Sequence, residues 1–372
     1  MPTDDLDEIP HPRANPDLIG HEAAERALRS AVDDGRLHHA WLITGPKGIG
    51  KATLAYRFAR YVLAHPGETA EAGLFGADEL TPPGEAGSLY VDPAEPVFQR
   101  VENASHADML TIRRTENDRG KLRAEIVVDD VRNSQSLFRQ TAGEGGWRVI
   151  IVDAADEMNP NAANALLKML EEPPARALLL LICHNPARLL PTIRSRCQKL
   201  RLEALPAETV TMLLRRFIPD LPDMDAELAA ALAEGSIGRA MTLAASGGLE
   251  VYGQVMDLLD DLPQLDVTKL HGFATSCGGV KGADTFVAAA ELIRWTLARL
   301  VRYAGGGTET FTDGLAAREA ALFARLGPAA GLESWLGVWE KTDALLDSAA
   351  RANLDRKQVI LNTFSVVERA VQ

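Results

Sequence analysis

Residues 45–52 have the types and spacing that bind the phosphate groups of a nucleotide. The pattern for such a loop is G-x-x-x-x-G-K-[ST], and Gly45, Gly50 and Lys51 stand at the required positions. Backbone N–H groups of the loop and of the following helix N-terminus donate to phosphate oxygens, and the lysine reaches the outer phosphates. We therefore predict Gly45, Gly48, Gly50 and Lys51 as nucleotide-binding residues.

The last position of this loop departs from the pattern, because Ala52 stands where serine or threonine is expected. In a hydrolysing enzyme that hydroxyl holds Mg²⁺, which neutralises the charge that develops between the β and γ phosphates. A methyl group cannot ligate this hard cation. Thr53 follows one residue late, turned about 100° away on a helix, so only a local shift would let it replace the hydroxyl. A glycine-rich turn without any ligand is the alternative interpretation.

Asp153 ends the apolar run 147–153, which predicts a buried strand. An acid at this place holds the magnesium ion of a phosphate-loop enzyme, although Asp153 could also only cap the following turn. Many such ATPases carry a glutamate next, which polarises the attacking water, but here the next residue is Ala154. The two alanines are independent losses, and together they predict a domain that does not hydrolyse ATP.

Further polar groups stand where they could contact phosphate. Arg194 and Arg196 are two residues apart and must point in different directions, so one can be structural while the other projects outwards. Such an arginine could act as a finger on a γ phosphate held by a neighbouring chain, or form a surface salt bridge. Arg239 could reach a nucleotide phosphate or only open a solvated helix. The polar segment 183–185 could sense the γ phosphate or form a simple turn.

The elements around these residues alternate between strand and helix in the first half of the chain. Apolar runs and periodicity predict strands at 40–44, 110–113, 147–153 and 177–183, and helices at 18–35, 52–63, 131–141 and 161–170. This alternation indicates an α/β fold with a parallel sheet. Beyond residue 205 strand signals nearly vanish and one helical pattern follows another.

The same apolar runs and helical patterns predict the domain organisation. We expect a flexible N-terminal arm at 1–15, an α/β domain at 16–205, a small helical domain at 206–248 and a larger helical domain at 249–372. Residues 64–106 are rich in glycine, proline and acids and indicate a surface insertion in the α/β domain.

The composition excludes several classes of protein. The longest apolar run, 177–183, is far shorter than a membrane span, and the acidic N-terminus does not resemble a signal peptide, so we expect a cytoplasmic protein. Only three cysteines occur, without a Cys-x-x-Cys pair, so neither zinc nor a disulfide framework is predicted. The net charge of −13 argues against a chain that binds nucleic acid alone, but not against a subunit whose partners supply positive charge.

Three segments together resemble the AAA+ clamp-loader family of bacterial DNA polymerase III. They are residues 39–51, 162–174 and 192–198. The run Leu-Leu-Lys-Met-Leu-Glu-Glu-Pro-Pro at 166–174, with Ser-Arg-Cys downstream at 195–197, is highly specific to this family. The motifs cover about residues 16–245, and beyond 250 only the helical character agrees.

The resemblance implies a RecA-like AAA+ domain, a small helical lid and an all-α oligomerisation collar. It implies a hetero-pentameric ring with gamma or tau and delta subunits, which uses ATP to place the sliding clamp on primed DNA. It further implies a catalytically silent subunit whose Ser-Arg-Cys arginine, here Arg196, serves the ATP of the adjacent gamma or tau subunit. Because Lys51 is retained, ATP or ADP could still bind here without hydrolysis.

One departure and two alternatives accompany this resemblance. Many relatives carry a four-cysteine zinc module after the phosphate-loop helix, and this chain has no cysteine between Lys51 and Cys183. A self-sufficient ATPase, such as the gamma or tau motor subunit, is the main alternative, but it would need a hydroxyl at residue 52 and an acid at residue 154. A small-molecule kinase is disfavoured by the helical tail and the Ser-Arg-Cys element.

Overall fold

The computed structural model describes residues 11–65, 88–117, 120–139, 146–279, 282–307, 316–352 and 354–372. The chain divides into two compact units. The first comprises residues 11–209 together with Gly235–Gly238, and the second comprises Val210–Glu234 and Arg239–Gln372. The finer division into arm, α/β domain, lid and collar remains a prediction.

A five-stranded sheet forms the centre of the first unit. Its strands are β1 (Ala40–Thr44), β2 (Met109–Ile112), β3 (Arg148–Asp153), β4 (Ala177–Cys183) and β5 (Gln198–Arg201). They lie in the order β2-β3-β4-β1-β5, and every neighbouring pair is parallel. The predicted α/β class with a parallel sheet is confirmed. The edge strand β5 was not predicted, because its four residues are mostly polar and exposed.

Helices cover both faces of this sheet. One face packs against α1 (Glu22–Asp33), α2 (Lys51–Ala64) and α3 (Pro96–Glu102), and the other against α4 (Val128–Arg139), α5 (Pro160–Glu171) and α6 (Pro191–Arg194). All seven residues of β4 are buried. A strand covered on both faces reads as a continuous apolar run, which is why the sequence predicts β4 with the bounds that it has.

Helix α5 begins and ends where its sequence dictates. The side chain of Asn159 accepts a hydrogen bond from the N–H of Ala162 at 2.9 Å, and Pro160 occupies the first helical turn. At the other end Pro173 and Pro174 cannot continue the helix. Glu171 is therefore fixed as its last residue.

The second unit contains helices alone among its described residues. Two helices span the division between the units, α7 (Ala207–Phe217) and α9 (Ile237–Ala245). The others are α8 (Asp223–Leu232), α10 (Gly248–Asp260), α11 (Val267–Ser276), α12 (Ala283–Ala304), α13 (Ala316–Ala352) and α14 (Arg356–Val371). Gly331 interrupts α13 with a φ of 70°. The predicted succession of helices is confirmed.

Two buried arginines of α2 hold neighbouring segments of the first unit. Arg60 donates to the carbonyl oxygens of Arg13 and Asn15, both at 2.7 Å. Residues 13–15 of the predicted flexible arm are thus hydrogen-bonded to α2, while residues 1–10 lie outside the described residues. So do residues 66–87, which form the middle of the predicted insertion.

Arg57 forms a buried ion pair with Glu25 of α1, with 2.6 Å between Nε and Oε1. The same carboxylate accepts the N–H of Leu89 at 2.7 Å, and Arg57 also donates to Ser88 at 3.0 Å. This pair therefore joins α1, α2 and the chain that returns from the insertion.

Replacing Arg57 should destabilise the first unit strongly. Arg57→Met leaves the buried carboxylate of Glu25 without its counter-ion, so we expect a loss of about 3–5 kcal/mol in the free energy of opening. The measurement is amide hydrogen exchange of the buried β1 strand. The control is Arg132→Met, which removes an exposed pair with Asp129 and should change stability by less than ~0.5 kcal/mol. Equal effects would contradict this interpretation of the Arg57–Glu25 pair.

Candidate functional site

Strand β1 leads from the interior of the sheet directly into the predicted phosphate-binding loop, and α2 follows at once. Gly45, Gly48 and Gly50 have φ values of 144°, 78° and 104°, which side chains disfavour. A Cβ atom at Gly45 would lie 2.5 Å from the carbonyl oxygen of Leu202. The predicted order of strand, glycine loop and helix is present.

The side chain of Lys51 folds back onto this loop. Its ammonium group donates to the carbonyl oxygen of Gly45 at 2.7 Å and to that of Pro46, and only 3% of the residue is exposed. Burial lowers the pKa of Lys51 to about 8, although the nearby carboxylates of Asp156 and Asp153 oppose this shift. The loop thus encloses a cation.

Hydrogen bonds from elsewhere in the first unit hold the rest of the loop. The hydroxyl of Ser236 donates to the carbonyl oxygen of Lys47 at 2.8 Å, and the N–H of Gly238 donates to that of Gly48 at 2.9 Å. The ring of His21 bonds the carbonyl oxygen of residue 49 at 2.6 Å. Together with the two bonds of Lys51, five consecutive carbonyl groups, residues 45–49, accept hydrogen bonds from the protein.

Ser236 and Gly238 were not among the predicted residues of this site. A Cβ atom at residue 238 would lie 3.1 Å from the Cα atom of Gly48, so glycine permits this close approach. The glycine at residue 235, in the same segment, has a φ of 81°. The two glycines of the Gly-Ser-Ile-Gly segment could have indicated this close approach of backbones, but only the arginine that follows them was predicted as a site residue.

Polar groups at the ends of β3 and β4 lie beside the loop. Burial, and to a smaller extent Glu157, raises the pKa of Asp153. Burial also acts to raise the pKa of Asp156, but its two oxygens accept the N–H groups of His184 and Asn185, both at 2.9 Å, and the net shift is downward. Asp156 therefore ties the turns after the two strands together.

The predicted sensing segment 183–185 contributes a buried thiol, a half-buried imidazole and an exposed amide. Burial lowers the pKa of His184 to about 4, and the neighbouring Lys51 acts in the same direction. Burial and the Asp156 carboxylate raise the pKa of the Cys183 thiol to about 12. At neutral pH both side chains are thus uncharged, and the charges beside the loop are those of the lysine and the carboxylates.

The two positions that hydrolysis would need carry methyl groups. Ala52 is the second residue of α2, and Ala154, which is 2% exposed, directly follows β3. Thr53 is half-buried in the first turn of α2. The arrangement can surround phosphate with a lysine and backbone groups, but at residues 52 and 154 it supplies neither a hydroxyl ligand for magnesium nor a general base.

Arg196 lies in the turn between α6 and β5, where it is ion-paired. Its Nη2 atom lies 2.9 Å from Oε1 of Glu171, and Nη1 donates to the carbonyl oxygen of Thr192 at 3.1 Å. The side chain is 37% exposed. Arg194 is half-buried and forms no ion pair or side-chain hydrogen bond with the residues that the structure describes. The arginine predicted to project outwards is therefore also the paired one.

Arg239 belongs to the second unit. Its Nε atom lies 2.8 Å from Oε1 of Glu291, and its Nη1 atom lies 4.0 Å from Glu234. The predicted contact of Arg239 with a nucleotide phosphate remains a prediction.

Neither a metal site nor a membrane span is present among the residues that the structure describes. Within that part of the chain, no group of three or more His, Cys, Asp or Glu residues is placed to hold a metal ion. No described helix is both long and apolar enough to cross a membrane.

The chain is similar to subunits of bacterial DNA polymerase III. Residues 92–206 match the family model described as "DNA polymerase III, delta subunit". Over 234 residues the chain is 36% identical to DNA polymerase III subunit delta' of Pseudomonas aeruginosa, which covers 63% of this chain and 64% of the relative. It is 29% identical over 268 residues to subunit tau/gamma of Haemophilus influenzae, covering 69% of this chain and 35% of that one.

These matches span less than two thirds of the length of either relative. Among solved structures, a DNA polymerase III gamma subunit-related protein of Thermotoga maritima is 19% identical, with a TM-score of 0.40, and the match covers 94% of this chain and 100% of that one. The resemblance to DNA polymerase III subunits that the sequence motifs predicted is confirmed by the delta' relative and the family model.

Replacing Lys51 should remove a pH-dependent contribution to stability. Below pH 8 the folded protein bears the full penalty of a buried ammonium, and between pH 8 and 10.5 the folded state loses this proton before the unfolded state does. Wild-type stability therefore gains up to about 3 kcal/mol across this range, and Lys51→Met lacks the gain. The measurement is urea unfolding of both proteins at pH 7 and pH 10.

The matched control is Lys47→Met, which changes an exposed lysine of the same loop. The difference in the free energy of unfolding between Lys47→Met and wild type should be the same at pH 7 and pH 10. If the difference in the free energy of unfolding between Lys51→Met and wild type is also independent of pH, the burial of a charged Lys51 is contradicted.

Proposed function

We propose that this chain is the delta' type of subunit in a DNA polymerase III clamp loader and that it does not hydrolyse ATP itself. It would join gamma or tau and delta subunits in a hetero-pentameric ring and complete the ATP site of the adjacent gamma or tau subunit. The observation that carries this proposal is one sheet with an intact glycine loop and lysine, methyl groups at residues 52 and 154, and a half-exposed arginine beyond α6.

The hydrolytic step is where the chain departs from a motor. Phosphoryl transfer needs a metal that bridges the β and γ oxygens and a group that orients the attacking water. Ala52 and Ala154 supply neither, while the loop around Lys51 keeps its shape through the five carbonyl hydrogen bonds. These facts support binding of ATP or ADP without turnover, and we propose no zinc.

Arg196 is the group that would act on the partner's nucleotide. A guanidinium carries a permanent positive charge and presents its N–H groups in a planar fork that matches phosphate oxygens. Arg196 is 37% exposed, so part of this fork faces solvent. The sliding clamp and primed DNA would be reached through the assembly, whose other subunits would offset the net charge of −13.

The similarity to tau/gamma subunits favours one second candidate, a self-sufficient ATPase. Lys51 is compatible with it, and the two alanines are not. The two functions differ in a simple observable, which is ATP turnover by the purified chain alone. Turnover that Lys51→Met abolishes would establish the motor and overturn the silent subunit.

Nucleotide binding by the isolated chain should not depend on magnesium. Because Ala52 cannot ligate the metal, we expect the same Kd for ATP within about twofold with Mg²⁺ or with EDTA. Ala52→Thr should restore a preference for Mg-ATP of about tenfold, equivalent to ~1.4 kcal/mol. Isothermal titration calorimetry measures both values.

Lys51→Met serves as the control, since it should weaken binding in both conditions alike. A wild-type chain that already prefers Mg-ATP tenfold would show that another ligand replaces the missing hydroxyl. No measurable ATP or ADP binding would remove the nucleotide from the proposal and leave the trans role of Arg196 intact.

Loss of Arg196 should impair hydrolysis that occurs on the partner. In an assembly reconstituted with the gamma or tau and delta subunits, Arg196→Ala should lower the DNA-stimulated ATPase rate of the sites that it completes by ~10³-fold, as other trans arginines do. Arg194→Ala is the matched neighbour and should change this rate less than about threefold. Assembly measured by gel filtration should be intact in both variants. An unchanged rate with Arg196→Ala, or a collapse with Arg194→Ala instead, would remove the assignment.

A further inference from the structure

We infer that Glu171 is a positioning residue for Arg196, holding the guanidinium in the orientation in which it meets a phosphate on the neighbouring subunit. This inference rests on the proposed function of Arg196. Its basis is the contact of Glu171 Oε1 with Arg196 Nη2 at 2.9 Å, together with the bond from Nη1 to the carbonyl oxygen of Thr192 at 3.1 Å.

The carboxylate of Glu171 is presented by a fixed support. It is the last residue of α5, whose preceding residue, Leu170, is 2% exposed. The ring of His39 bonds the carbonyl oxygen of Leu170 at 3.1 Å and so satisfies one of the free acceptors at this helix end. Pro173 and Pro174 follow and stop the helix from extending further.

The backbone that carries Arg196 is equally constrained. Its N–H donates to the carbonyl oxygen of Ile193 at 3.1 Å, and the side chains of Ile193 and Cys197 are buried in the core beneath the sheet. Glu171 and Arg196 are therefore two half-exposed groups on rigid supports, facing each other across the gap between α5 and the turn after α6.

The pair contributes little to the stability of the fold, because both side chains are substantially exposed, 37% for the arginine and 48% for the glutamate. Its effect is on conformation. A free arginine side chain has many rotamers, and two contacts with its own chain restrict them before a partner is met. A guanidinium has five N–H donors, and the two contacts use one from each Nη atom. Three remain for phosphate oxygens.

A carboxylate beside an arginine could also act in the opposite sense, by competing with phosphate. The geometry favours positioning, because the contact with Glu171 is made by one oxygen and, together with the bond to Thr192, leaves the Nε–H and one N–H of each Nη available. The two senses predict opposite signs for removal of the carboxylate, which makes them easy to separate.

The experiment measures steady-state ATP hydrolysis by the reconstituted assembly with DNA, varying the ATP concentration. Glu171→Ala should lower kcat about tenfold with KM for ATP unchanged. The reason is that a mispositioned arginine stabilises the transition state less well but hardly affects binding of ATP in the ground state. Glu171→Gln keeps an oxygen that can accept the same hydrogen bond and should retain at least about half of the wild-type kcat. Glu172→Ala, the exposed neighbour, is the matched control and should behave as wild type.

The outcomes separate the inference from the function on which it rests. If Arg196→Ala abolishes ATP hydrolysis by the assembly and Glu171→Ala leaves the rate unchanged, the inference is overturned and the proposed function stands. If Arg196→Ala also leaves the rate unchanged, both are overturned. A rise in kcat with Glu171→Ala would show that the carboxylate restrains the arginine, and a change in KM alone would assign it to binding; either result overturns the inference. If Glu171→Gln fails to rescue and Glu172→Ala shows an equal loss, the helix end itself is disturbed, and this result also overturns the inference.

Discussion

The phosphate-loop conformation depends on its carbonyl groups, all of which are satisfied within the first unit. Lys51 donates to the carbonyl oxygens of residues 45 and 46. Ser236 and Gly238 donate to those of residues 47 and 48, and the ring of His21 bonds that of residue 49. Backbone N–H groups of the loop would bind phosphate, whereas these five bonds engage only its carbonyl oxygens. None of these bonds involves the side chain of residue 52, so alanine at this position is compatible with the conformation of the loop.

Much of this architecture could be predicted from the sequence, because buried segments consist of apolar residues. Strands β1 and β4 are continuous apolar runs since both faces of the sheet are covered, and their predicted bounds agree with the structure. Strand β5 could not be predicted in this way, because an edge strand can be polar and exposed. Its pairing with β1 is what places the turn that carries Arg196 beside the sheet.

The contacts that complete the candidate site were less accessible to sequence reasoning. The bond from Ser236 to the loop joins residues 189 positions apart, and no local pattern records such a contact. Likewise, Glu171 and Arg196 each stood in a recognised motif, but their pairing depends on the end of α5 and the turn after α6 meeting in space. Residue types indicated the chemistry, while the partners that orient those residues emerged only with the fold.

These features give a physical reason for retaining a phosphate-loop fold in a chain that we propose does not hydrolyse ATP. An arginine that acts across an interface must already be oriented when the interface forms, since ordering it afterwards would reduce both affinity and rate. Orientation here comes from α5 and α6, which pack on the sheet that carries the loop, and from β5, which is an edge strand of that sheet. A rigid sheet with its loop held by internal hydrogen bonds is thus a suitable support for Arg196, and loss of the hydroxyl and the base leaves that support unchanged.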